Sequence, residues 1–104
     1  MQKLVDEFNQ KRNAHLDTMP VSARLMDIAS EMGELAKEYL HCTNYGSSDF
    51  EINEDFKLEL GDVLYSLLSL ASEVNLDAKD CLTRVIQKYQ ARIDKKKSMG
   101  SEEE

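Results

Sequence analysis

Two pairs of carboxylates, Glu31-x-x-Glu34 and Glu59-x-x-Asp62, are the side chains of this 104-residue sequence best suited to chemistry. On a helix, a three-residue step places both members of a pair on one face. Each pair lies in a segment otherwise crowded with apolar residues. Two such helices packed together would bring four negative charges toward one another, and such a group repels itself unless a cation sits within it. A hard divalent ion such as Mg2+, with Mn2+ as a substitute, prefers oxygen ligands and retains waters and substrate phosphates in its shell.

Acidic residues at helical spacing are most often a solvated face. Glu31, Glu34 and Glu38 lie beside the apolar stripe of their helix rather than opposite it, and Glu59, Asp62, Ser66 and Ser69 form a similar strip on another. Gly33 and Gly61 add weight to the metal reading. Each lies inside a helical pattern, where glycine costs about 1 kcal/mol relative to alanine, and each adjoins an acid pair. A small residue there would let a backbone or ligand approach closely.

Four helical stretches position these groups, and the pattern predicts an all-α protein. The first runs from Gln2 to Ala14, and His15 to Met19 break it. Pro20 suits the first position of the second, which continues to Cys42 with Leu25, Ile28, Ala29, Met32, Leu35, Ala36, Tyr39 and Leu40 on its stripe. Asn44 to Ser48 reads as a loop, and Asn53 as the N-cap of the third helix. That helix carries Phe56, Leu60, Val63, Leu64, Leu67, Leu68, Ala71 and Val74, with Leu58, Tyr65 and Leu70 off the stripe. Apolar residues on more than one side suit a central helix or one shared with a partner subunit. Asp77 can cap the fourth helix, which runs to Lys97 with Leu82, Val85, Ile86, Tyr89 and Ile93 inward. Short connections predict a four-helix bundle, one domain over residues 1–97 followed by a disordered acidic tail at 98–104. The apolar surface left by helices of this length predicts a dimer or a dimer of dimers.

A net charge of −7 argues against binding nucleic-acid backbone or an anionic membrane. No apolar run approaches a membrane span, and Asp6, Glu7 and Asn9 interrupt any signal-like start. Cys42 and Cys81 lack metal-ligand spacing and read as reduced thiols of a cytoplasmic protein.

The segments Leu25 to Glu38 (LMDIASEMGELAKE) and Leu58 to Ala71 (LELGDVLYSLLSLA) together resemble the MazG-type all-α nucleotide pyrophosphohydrolases. The marks are E-x-x-E followed by E-x-x-D, a central Gly33-Glu34-Leu35, Asp62-Val63-Leu64, and an upstream Phe8-Asn-Gln-Lys11-Arg12. The likeness runs from the first helix to Arg92. It implies hydrolysis of a nucleoside triphosphate to the monophosphate and pyrophosphate, with Glu31, Glu34, Glu59 and Asp62 as Mg2+ ligands. It also implies a homodimer or homotetramer, and in such an assembly the active site would draw residues from two subunits. In that chemistry Mg2+ activates a water for attack on phosphorus, and Glu31 or Glu34 is the candidate to take its proton. The family's last helix commonly carries a Lys followed by an Asn or Arg that meets the phosphates. Lys88 fits, and Arg92 one turn later is the only partner available; the alternative is a solvated basic face that ends in Lys95, Lys96 and Lys97. Ser30 departs from the pattern, standing where many members have a further acid.

Phe8, Tyr39, Tyr45 and Tyr65 are the candidates to hold a nucleobase. A di-iron carboxylate bundle needs two Glu-x-x-His pairs. Glu38 and His41 supply one, whereas His15 follows Arg12 rather than a glutamate. His41 also suits a helix C-terminus, where it complements the macrodipole. A non-enzymatic helical adaptor is the alternative from another class; it accounts for the apolar breadth of the third helix but not for Gly33 and Gly61 beside paired acids.

Overall fold

The computed structural model describes residues 1–13 and 19–103, and these form four α-helices: α1 (Gln2–Asn13), α2 (Val21–Cys42), α3 (Glu54–Glu73) and α4 (Ala78–Glu103). The expected break at His15 to Met19 lies, except for Met19, outside the described residues. Pro20 is not the first residue of α2 but its N-cap, with an extended ψ of 153°. A fixed φ near −65° is compatible with either place, and no side chain supplies the cap bond.

Asparagines end two of the helices. After the C-cap Thr43 of α2, Asn44 takes φ 48°. Its N–H bonds to the His41 carbonyl at 3.1 Å, and that of Tyr45 to Leu40 at 2.7 Å. After Val74 of α3, Asn75 takes φ 59°, with Asn75 N–H to Ser72 and Leu76 N–H to Ala71 at 3.1 and 2.8 Å. Both are Schellman endings, and Asn tolerates the left-handed conformation they need. Asn53 caps α3 as expected, its side-chain oxygen accepting from Phe56 N–H at 2.7 Å. Asp77 bonds the Lys79 N–H at 2.9 Å, and Gln2 on α1 accepts from Ala78 N–H at 2.7 Å, so α1 also steadies the start of α4. The fourth helix continues past Lys97 to Glu103.

α3 is the hub. It packs most extensively along α2, less along α1, and least against α4. α4 therefore projects, and the radius of gyration is 18.7 Å, against roughly 13 Å for a compact chain of this length. The expected apolar stripes are consequently not sealed within one chain. Leu82, Ile86 and Tyr89 on α4, Leu25 and Met32 on α2, and Leu60 and Leu67 on α3 are all exposed. Val5, Cys42 and Val63 are the buried apolar residues among those described. The best-covered side chains are instead polar: Ser69, Ser66, Arg24 and Thr43.

Candidate active site

The α2–α3 contact brings the two acid pairs together. Glu31, Glu59 and Asp62 each offer a carboxylate oxygen, and the three lie within 4.8 Å of one another. Glu34 is not in this group of three, but its charge acts on both Glu31 and Glu59. Glu38 is engaged elsewhere, bonded to His41 Nδ1 at 2.8 Å in the last turn of α2.

Partial loss of water pushes Glu31 above the usual carboxylate range, and Asp62, Asp27, Glu59 and Glu34 push it the same way. Glu59 is raised likewise, first by desolvation and then by Asp62, Glu34, Glu38 and Asp55. Every influence on the two groups has one sign. Three converging hard oxygen donors match the donor set that a hard divalent cation takes.

Beside the acids lies a cleft of about 310 Å³, lined by Glu31 and Asp62 at one end and by Phe8, Arg12, Arg24, Asp27, Tyr65 and Ser66 elsewhere, with Met19 completing it. Phe8 and Tyr65 meet edge-to-face at 5.8 Å. The other two aromatics considered for a base are not in the wall. Tyr39 packs on Phe50 at 5.2 Å and Tyr45 on His41 at 5.7 Å.

A buried polar network shapes this wall. The Arg24 guanidinium, 4% exposed, donates from Nη2 and Nε to Glu73 Oε1 at 2.9 and 3.1 Å, and from Nη1 to Asp27 Oδ2 at 3.4 Å. Ser66 Oγ donates to the same Asp27 oxygen at 2.8 Å. Asn9 Nδ2 donates to Ser69 Oγ at 3.0 Å, Tyr65 donates its hydroxyl proton to Asn9 Oδ1, and Arg12 donates to the Tyr65 hydroxyl at 3.2 Å.

Sequence reasoning missed Arg24, Asp27 and Glu73. The 24–27 spacing is the one local signal, since it puts Arg24 and Asp27 on one helix face. Glu73 closes the network from another helix, which no spacing announces. Lys88 and Arg92 fall differently from expectation: both are exposed on α4 and neither lines the cleft. Lys88 Nζ lies 5.7 Å from the Tyr89 ring. Gly33 and Gly61 have open space beside them rather than a neighbouring backbone of the same chain. A methyl group built at either meets nothing beyond its own helix within 4 Å, so no close approach among the described residues requires them.

Four helices with acid pairs brought together across α2 and α3 are the arrangement that the resemblance to all-α nucleotide pyrophosphohydrolases implies, and comparison with known proteins agrees. Residues 21–96 match the MazG nucleotide pyrophosphohydrolase domain. A crystal structure of a Bacillus-conserved MazG protein, described as a nucleotide pyrophosphohydrolase, superposes with a TM-score of 0.67 at 30% identity, covering 86% of this chain and 84% of that one. The putative pyrophosphatase YpjD of Bacillus subtilis superposes with a TM-score of 0.68 at 28% identity, over 88% of this chain and 90% of its own. A curated sequence of the same name from strain 168, described as uncharacterized, is 33% identical over 96 residues, 88% of this chain and 82% of its own length. The chain belongs to the MazG nucleotide pyrophosphohydrolase family, and is thus a hydrolase acting on acid anhydrides. Membership sets aside the adaptor reading. No helix among the described residues is long and apolar enough to cross a membrane.

Proposed function

We propose that the chain hydrolyses a nucleoside triphosphate to the monophosphate and pyrophosphate, serving nucleotide-pool control or sanitation in the cytoplasm. The observation that carries this reading is the convergence of Glu31, Glu59 and Asp62 within 4.8 Å in a chain of this family. These three would hold Mg2+, or Mn2+ in its place, with Glu34 at the edge of the group. When bound, the ion neutralises phosphate charge and makes a coordinated water more acidic. Glu34, left outside the three, accepts the proton of the attacking water, while Glu31 serves as ligand. Arg12, on the cleft wall, adds positive charge for the phosphates.

Lys88 and Arg92 are assigned to the phosphates of a second copy. They share α4 with the exposed stripe Leu82, Ile86, Tyr89 and Ile93. Covering that stripe in a dimer or dimer of dimers would carry both cations toward another protomer.

The test is product analysis over a panel of canonical and modified nucleoside triphosphates, with Mg2+ and again with EDTA. Pyrophosphate plus monophosphate, lost with EDTA, is expected. Orthophosphate plus diphosphate would reject the cleavage site, and turnover unaffected by EDTA would reject the metal.

A further inference from the structure

We propose that Asp27 is a specificity residue, accepting a hydrogen bond from an exocyclic amino group of the substrate's nucleobase; this rests on the nucleotide reading above. Asp27 lines the same cleft as Glu31 and Asp62 but is not one of the three acids that converge. A carboxylate outside the metal group is an acceptor without a cation to bridge it to phosphate, so Asp27 suits the part of a nucleotide that carries N–H donors.

Its orientation is fixed by the protein. Ser66, buried on α3, and Arg24, buried on α2, both donate to Oδ2. Arg24 is itself pinned by Glu73. With both of these donors on Oδ2, Oδ1 keeps lone pairs for a ligand, and the side chain is 32% exposed. Phe8 and Tyr65 supply an apolar aromatic wall in the same cleft, and the Arg24 guanidinium carbon lies 6.0 Å from the Tyr65 ring centre. A flat ring against that wall can present its edge to Asp27.

A carboxylate accepts and cannot donate. It therefore welcomes an amino group and sets lone pair against lone pair when a carbonyl occupies the same place. Discrimination of about tenfold or more is expected at a site that is partly open to water.

Non-hydrolysable α,β-imido nucleotides, titrated calorimetrically with Mg2+, test this in amino/oxo pairs: cytidine against uridine, adenosine against inosine, guanosine against xanthosine. The wild type should favour the amino member of at least one pair by about tenfold or more. Asp27→Asn, whose amide can turn an N–H toward a carbonyl, should bring that ratio to one or reverse it. The idea falls if no pair is separated in the wild type, or if the variant keeps the wild-type ratio. It falls equally if binding weakens alike for every nucleotide, which marks a structural role, or if only the ribo/deoxy ratio moves, which marks a sugar contact. Should Asp27→Asn lose helical circular dichroism, Ser66→Ala keeps the carboxylate but loosens it, and an unchanged ratio there would overturn the proposal. Discrimination without pyrophosphate release would fail the hydrolysis reading alone; pyrophosphate release without discrimination would fail this one alone.

Discussion

Two groups of acids share α2 and α3, and the protein treats them oppositely. Asp27 and Glu73 are joined by the buried Arg24, with Ser66 adding a donor. Glu31, Glu59 and Asp62 converge nearby, and the influences on Glu31 and Glu59 are desolvation and other acids. The chain thus compensates one set from within, and the other is arranged to be completed from outside. Removing a member should have opposite consequences for stability in the two places.

The largest effect belongs to the open group. Glu59→Gln or Asp62→Asn should lower kcat/KM by at least about 100-fold, equivalent to ~2.7 kcal/mol of transition-state stabilisation. Without metal neither should lower the melting temperature, because each removes repulsion. A variant that loses stability in EDTA would mean that the acids are structural. Arg24→Met probes the closed group and should destabilise by about 2 kcal/mol, since it removes the buried cation that pairs the partly exposed Glu73 and Asp27. Adding Glu73→Leu should recover much of that loss, and a double-mutant cycle by urea unfolding measures it. Strict additivity would show that the two side chains are not coupled.

How much of this was readable in advance depends on how local each feature is. The α3 cap at Asn53 follows from one side chain and the next three residues, and the acid pairs from a single helical step. The Arg24–Glu73 contact joins residues on two helices, and only the packing of α2 on α3 brings them together. Apolar periodicity marks which face of a helix seeks cover but is silent on what covers it. Leu82, Ile86 and Tyr89 keep their stripe on α4, yet they are exposed within one chain. For the same reason Lys88 and Arg92 could be matched by position and still stand outside the cleft.

Mg2+ should act on the open group alone. A ligand present at about 100 times its dissociation constant stabilises by ~2.7 kcal/mol if it binds only the folded state. Mg2+ should therefore raise the melting temperature of the wild type and of Asp27→Asn, but not of Glu34→Gln combined with Asp62→Asn. An equal rise in that double variant would place the ion elsewhere.

Protons offer the finest separation of the two groups. Glu31 and Glu59 hold their protons more tightly in the folded state, since both are raised from 4.5. Their contribution to stability is then fully present below the unfolded value and is lost as the pH rises through the higher folded values. In EDTA, the melting temperature of Glu31→Gln relative to wild type should therefore climb as the pH rises from about 4.5 toward 7, because the variant stays neutral. Saturating Mg2+ should reverse the order at the upper end, where the ionised carboxylates gain their cation and the glutamine does not. Both proteins are compared at each pH, so the remaining carboxylates cancel to first order. Parallel melting curves across that range would show that Glu31 feels no more repulsion folded than unfolded, and the contrast between the two groups would collapse.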